Sequence, residues 1–363
     1  MIYSCTASFL GGKFVQWYDY LNNHKNLHHI RYLNASENYY DSFFKIEFDI
    51  IKQTLSENDV LFIDSEYFYP NFNQSFIDKI SSDIVFKMVI IHKDCGVPES
   101  RGDVTIISPN YDSTDSIDTF NYYLINAGKN KLRKLSYDFW QLNKTQIRFK
   151  KFLFTSGTVK PHRTVFYNFL KETELINNSL VSYLGYHVND KKNNEVFDGT
   201  IPYQKKFESP SYLDTTWDIG QPLSEFTPLS LISNCYFDIV SATLFENTDK
   251  LFTSEKIFRP FLSFVFPIFI AQAGVCSLLR NLGFDLFDDF INHSYDTKEN
   301  PSERMNLLFK EVIRLNEFSN LELFKIYEKN HERFLNNFNK LEKLSDIQLF
   351  NFQNNINYKS TIL

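Results

Sequence analysis

The first half of the chain alternates short apolar runs with stretches whose apolar residues recur every three or four positions. Residues 1–9 open with such a run, closed by Gly11-Gly12, and Phe14, Trp17, Tyr18 and Leu21 follow at helical spacing. Residues 59–64 (DVLFID) follow a polar turn and end in an acid, which predicts a buried parallel strand. Residues 86–92 (FKMVIIH) and 104–107 (VTII) predict two more, the second stopped by Ser108-Pro109. Strands separated by helix-sized stretches predict an open α/β sheet. In such sheets the ligand-binding groups lie just past the carboxyl ends of the strands. There this chain carries Asp64, Glu66, His92 and Asp94.

A second strand–turn–helix–strand series starts at residues 152–155 (FLFT) and runs through Ser156-Gly157-Thr158 into Lys160-Pro161-His162-Arg163. A helix over 164–173, with Val165, Phe166, Phe169 and Leu170 on one face, leads to a strand at 180–183. The domain boundary is placed near residue 145, by the basic segment 144–151. Residues 189–228 are polar and aperiodic and read as long loops. Order returns with strands at 235–241 and 264–270, a turn at Gly274 and a short helix over 277–282. From Pro301 to about Asn355 the pattern is helical throughout. The expected organisation is an N-terminal domain over 1–145, a second over 146–300, and helices over 301–363 packing across the domains.

Composition narrows the function classes. At 363 residues, 43% hydrophobic and 23% charged, the chain supports two real cores and is not a disordered segment. Its 38 Phe and 21 Tyr read as the bias of an AT-rich genome, with Phe standing in for Leu. A net charge of −6 weighs against holding nucleic acid mainly through its phosphates, and the basic stretches at 129–134 and 148–151 read as solvated faces. Cys5, Cys95, Cys235 and Cys276 lack zinc spacing and read as thiols in a reducing cytosol. His28-His29, with His24 nearby, lack an acid or cysteine to complete a metal site and read as a solvated helix or turn. The longest apolar run, 260–274, is broken by Pro267 and too short for a membrane span, and the N-terminus has no signal-peptide pattern, so a soluble cytoplasmic protein is expected. No strand-end DxD, GxSxG, P-loop lysine or GxGxxG is present.

The richest segment is Phe245-Glu246-Asn247 followed by Phe252-Thr253-Ser254-Glu255-Lys256-Ile257-Phe258-Arg259-Pro260. Thr253 or Ser254 stands where a helix cap belongs, with Glu255 and Lys256 in the first turn. A helix N-terminus attracts anions through its unpaired N–H groups and its dipole, and a lysine there adds a full charge beside a diphosphate. An acid there accepts hydrogen bonds from a ribose diol. The ordinary alternative makes Glu255 a capping acid and Lys256 an exposed helix residue.

That segment, with the strand after it, resembles the donor-binding stretch of fucosyltransferase-type enzymes: F-E-N, a short spacer, [TS]-E-K, a helix, then a Pro-preceded hydrophobic strand. The pieces beyond, Gly274, Leu279-Arg280, Leu282-Gly283-Phe284, Phe287 and Ser294-Tyr295-Asp296, are similar to microbial and phage glycosyltransferases. The resemblance covers about residues 150–300. It implies the GT-B fold, two Rossmann-like domains facing a central cleft, and transfer of a sugar from a nucleotide-diphosphate donor without metal or other cofactor. It further implies that Glu255 binds the ribose, that Lys256 and Arg163 bind phosphates, and that Glu246 and Asn247 line the same pocket. Where those enzymes carry a small residue and Gly before the strand, this chain has Ser263-Phe264-Val265-Phe266.

An inverting transfer needs a base for the acceptor's proton. His92, Asp94, Asp64 and Glu66 are the candidates, each with an ordinary reading as a turn or cap residue. The expected acceptor is a glycan or another hydroxyl compound. The alternatives are a modified DNA base, which the acidic charge disfavours, and a non-catalytic glycan-binding or assembly module with the transferase fold.

Overall fold

The computed structural model describes residues 2–5, 27–30, 53, 55–57, 59–64, 73–91, 101–107, 110–111, 124, 127–129, 133–186, 197–204, 232–248 and 250–361. It is α/β, with two parallel sheets and a helical C-terminal region. Its contacts divide the chain into two compact units: residues 1–109, 120–122 and 351–363 in the first, 110–119 and 123–350 in the second.

The first unit holds a five-stranded sheet in the order β2-β1-β3-β4-β5, formed by Ile2–Cys5 (β1), Leu27–Ile30 (β2), Val60–Asp64 (β3), Lys87–Ile91 (β4) and Val104–Ile107 (β5). Every pair is parallel. This is a doubly wound order, reversing direction between β1 and β3. Leu61, Phe86, Met88 and Val104 are fully buried, as a parallel sheet covered on both faces requires. Helix α1 (Gln74–Asp83) starts at Asn73, whose side chain accepts from Phe76 N at 3.0 Å, and turns Ile77 and Ile80 inward. The strands predicted at 59–64, 86–92 and 104–107 are present. His28 and His29 sit in β2, paired with Tyr3 and Ser4, so the helix or turn expected there is replaced by a strand. The helix expected from Phe14 lies outside the described residues.

The second unit is built on a four-stranded parallel sheet in the order β8-β7-β9-β11, from Lys150–Thr158 (β7), Ser179–Tyr186 (β8), Cys235–Ser241 (β9) and Phe266–Ile270 (β11). Asn110–Tyr111 (β6) and Leu251–Phe252 (β10) form a short antiparallel pair. β9 is buried along its whole length. Among the described residues β11 pairs only with β9, and an edge position of this kind tolerates Pro267. Helix α3 (Pro161–Glu172) covers β7 with Val165, Phe166, Phe169 and Leu170, and Phe169 stacks on Phe309 with ring centroids 4.3 Å apart. The abundant phenylalanine is therefore core material.

Helix α2 (Arg133–Asn143) belongs to this unit although it precedes residue 145. Trp140 stacks on Phe264 at 4.3 Å, and Ser136 Oγ donates to Leu262 O at 2.6 Å, so α2 shares the unit's core. The C-terminal periodicity resolves into three helices, Pro301–Glu317 (α6), Asn320–Lys329 (α7) and His331–Thr361 (α8). Their starts are local: Asn300 accepts from Glu303 N at 2.9 Å, and Ser319 and Glu322 form a reciprocal capping box. Gly128 has no room for a Cβ against Ser345 and Leu341 of α8.

Candidate functional site

In the second sheet the chain order reverses between β7 and β9, and ligands of doubly wound sheets collect at the carboxyl ends of strands at such a point. A register shift between Ser156 and Thr158 ends β7 there, and β9 runs out at Ser241, Ala242 and Thr243. Three basic residues from the start of α3 converge on that second ending. Lys160 Nζ donates to Thr243 O at 2.8 Å, His162 Nε2 lies 3.2 Å from Ala242 O, and Arg163 Nη2 donates to Ala242 O at 2.9 Å. Arg163 Nη1 reaches back to Thr158 O at 3.3 Å and to Thr158 Oγ1.

Arg163 is 4% exposed and bonds carbonyl and hydroxyl oxygens, with no carboxylate bonded to it among the described residues. Burial pushes its pKa down to about 10, opposed by Tyr183 and Glu255. His162 is buried and stacks on Phe245 at 5.4 Å. Burial first, and Arg163 next, push its pKa well below the ordinary histidine value.

Beside this edge begins α4 (Glu255–Ser263). Ser254 is its N-cap with extended backbone, yet its hydroxyl makes no capping bond. Glu255 and Lys256 occupy the first turn as the sequence predicts, half-buried, with Lys256 Nζ donating to Glu255 Oε1 at 3.0 Å. Three buried polar atoms have no hydrogen-bond partner among the described residues here: Arg163 Nε, Ser241 Oγ and Ser254 Oγ. Such orphans are uncommon, because a buried polar group left unpaired costs about 1–3 kcal/mol.

The start of α4 is fixed by residues the sequence reading did not single out. Arg259, on its second turn, forks onto Asp238 of β9 (Nε–Oδ2 2.8 Å, Nη2–Oδ1 2.6 Å) and donates to Thr155 of β7 at 2.9 Å. Asp238 is fully buried, so this ion pair ties α4 to both strands. Its only sequence signal is an acid inside an otherwise apolar strand. At the helix's other end Phe264 adopts the left-handed conformation usual for glycine (φ 55°). Stacking on Trp140 and Phe338, and the 2.9 Å bond from Tyr327 OH to Phe264 O, hold it there.

Glu246 is exposed on the turn that follows β9. Asn247 is committed to the scaffold, donating to Glu299 O at 3.1 Å and accepting from Ala273 N at 3.2 Å. Buried Arg304, stacked on Phe245 at 4.4 Å, fastens the same turn through Phe245 O and Glu299 O. The later motif residues are also scaffold. Asp296 accepts from Cys276 N and Ser277 N at 3.0 and 3.1 Å, capping α5 (Val275–Asn281). Tyr295 OH accepts from Phe269 N at 3.1 Å, and Gly274 and Gly283 take positive φ. Arg280 forks onto Asp288 at 2.8 and 2.7 Å.

Arg280, Asp288, His293 and Arg314 line an open pocket of about 450 Å3. It lies by the amino-terminal end of β11, where His293 Nε2 is 3.2 Å from Pro267 O, and its arginines are paired with Asp288 and Glu311. Of the candidate bases, Asp64 closes β3; its side chain, and the whole of Glu66, His92 and Asp94, lie outside the described residues. No group of His, Cys, Asp and Glu among the described residues is arranged to hold a metal ion, and none of the described helices is long and apolar enough to cross a membrane.

Fold and site together define a parallel-sheet α/β protein with a cationic edge at a strand-order reversal. No family model matches the chain, and no curated protein or solved structure matches it either.

Proposed function

We propose that the protein is a metal-independent glycosyltransferase that binds a nucleotide-diphosphate sugar at the carboxyl edge of β7 and β9. The observation that carries the reading is the start of α4 beside this strand-order reversal, with Glu255 and Lys256 in its first turn and Arg163 near enough to Glu255 to feel its charge. Arg163 Nε, Ser241 Oγ and Ser254 Oγ, which have no hydrogen-bond partner among the described residues, are further donors for a diphosphate oxygen. Glu255 takes the ribose hydroxyls, while Lys256, Arg163 and the first N–H groups of α4 take the phosphates. In the reaction the bond from the anomeric carbon to the phosphate oxygen breaks and its electron pair leaves on the diphosphate. The acceptor oxygen bonds that carbon and gives up its proton to a general base. Charge growing on the diphosphate is met by cations already in place, which lowers the barrier.

Calorimetric titration with UDP, GDP, ADP and CDP tests this. At least one is expected to bind, with binding abolished in Lys256→Ala and weakened by more than about 1 kcal/mol in Glu255→Ala. Lys256 is 23% exposed, so its removal leaves the fold standing. Absence of binding by every nucleotide, or normal binding by Lys256→Ala, sinks the reading.

A further inference from the structure

At the amino-terminal end of the same sheet the chain is built inside out. Arg148 is buried, while its neighbours Ile147 and Phe149 are 54% and 62% exposed, and Leu142, at the end of α2, is 75% exposed. Arg148 causes the inversion. Its guanidinium lies 3.9 Å over the Tyr327 ring and donates to Cys235 O and to Tyr327 OH, while its backbone N donates to Tyr236 OH at 3.1 Å. In extended chain, neighbouring side chains point to opposite sides, so an anchored Arg148 holds Ile147 and Phe149 outward. The turn bonds Lys144 N to Trp140 O (2.8 Å) and Gln146 N to Asn143 O (3.0 Å) bring Leu142 to the same tip.

The segment that forms this tip carries charge of one sign, Glu328 being the acid that acts on His331 beside Lys144 and Arg148. From Phe139 to Lys171 the sequence contains no Asp or Glu, in a protein whose net charge is −6. Lys144 lies 4.9 Å over the Trp140 ring, and Lys150 and Lys151 donate to the carbonyls of Asn177 and Asn316. None of the three forms an ion pair among the described residues. Protruding aliphatic and aromatic side chains flanked by uncompensated lysines fit a surface that is apolar inside and anionic outside. A nucleic-acid partner would ask for more cations and gain little from Leu142 and Ile147.

We propose that this tip docks the protein on an anionic lipid bilayer, with Leu142, Ile147 and Phe149 entering the headgroup boundary and Lys144 and Lys150 facing lipid phosphates. Co-sedimentation of the full chain with phosphatidylcholine vesicles, with and without phosphatidylserine, tests it. Wild type is expected to bind the phosphatidylserine vesicles, more weakly as salt rises. The triple variant Leu142→Gln/Ile147→Gln/Phe149→Gln is expected to bind at least about ten-fold less at an unchanged melting temperature. Lys144→Gln/Lys150→Gln is expected to lose the preference for phosphatidylserine. Phe149→Ser alone, at a side chain the fold leaves in solvent, shifts binding in the same direction. Failure of wild type to bind phosphatidylserine vesicles overturns the proposal, as does binding by the triple variant at wild-type strength. Equal capture of wild type and triple variant by RNA, without vesicle binding, overturns it in favour of a polyanion.

Discussion

Two buried arginines mark the opposite ends of β7, and they differ in what they leave unmet. Arg148, at the amino end, rests on the Tyr327 ring and bonds Cys235 O and Tyr327 OH; that hydroxyl also accepts from Trp140 Nε1 at 2.9 Å and donates to Phe264 O. Arg163, at the carboxyl end, keeps an Nε with no partner among the described residues, as do the hydroxyls of Ser241 and Ser254. An orphaned N–H alone does not separate the two roles. Arg304 also has one, but it is 1% exposed and devoted to carbonyls of the turn it fastens. Orphans at a helix start and at a strand-order reversal make the distinction. On the function proposed above, a buried cation with its partners complete holds the fold together, whereas one with an unmet N–H at this edge is available to a ligand.

The largest expected effect tests the first half of that comparison. Arg148→Met should cost about 2–3 kcal/mol in urea unfolding, because buried oxygens lose their donor and the Tyr327 junction loses a member. Arg163→Met should cost only about 1 kcal/mol. Ala242 O keeps His162 as a partner, and a desolvated charge with an unmet N–H is removed. The same variant should lose at least about ten-fold in nucleotide affinity, the scale of one charged hydrogen bond. If Arg163→Met proves the more destabilising, or binds nucleotide normally, the two roles are misassigned.

Much of the frame behind this comparison was legible in the sequence, because buried parallel strands are uninterrupted apolar runs: 104–107 and 235–241 match β5 and β9 residue for residue. The start of α4 was legible too, since cap chemistry is local. The anchoring of the arginines was not. Arg148 stands in a basic stretch that reads as solvated, Arg163 entered only through the family resemblance, and the carbonyls burying them, of Cys235 and Ala242, lie 87 and 79 residues away. The boundary near residue 145 misses the Trp140–Phe264 stack for the same reason. His28 and His29 became a strand through pairing with β1, a contact no local pattern displays. In the C-terminal periodicity, continuous apolar spacing masked the Ser319–Glu322 capping box that starts α7.

The carboxyl edge should also respond to pH. His162 is held uncharged by burial and by Arg163, with its folded pKa well below its ordinary 6.5. Below about pH 6.5 the unfolded chain takes up a proton that the folded chain refuses. Stability is therefore full above that pH and falls as pH drops, by up to about 1.4 kcal/mol per unit. His331, lowered by burial and then by Lys144, acts in the same direction. Thermal melts from pH 8 to 5 (about the useful range for histidine) should show this slope, and His162→Asn should flatten it. An unchanged slope in His162→Asn would mean that His162 takes up protons in the fold and is not the uncharged ring that Ala242 and Phe245 enclose.

The smallest effect is the most discriminating, because it has opposite signs in two measurements. Removing a serine N-cap ordinarily costs about 1 kcal/mol, since its hydroxyl satisfies a first-turn N–H. Ser254 makes no such bond, and its buried hydroxyl has no partner among the described residues. Ser254→Ala should therefore leave the nucleotide-free protein as stable as wild type or slightly more so. If the hydroxyl waits for a phosphate oxygen, the same change should weaken nucleotide binding by about 0.5–1.5 kcal/mol, the net worth of one hydrogen bond. A stability loss near 1 kcal/mol would make Ser254 an ordinary cap. Unchanged affinity would remove it from the ligand set and leave Arg163 and Lys256 to hold the diphosphate without it.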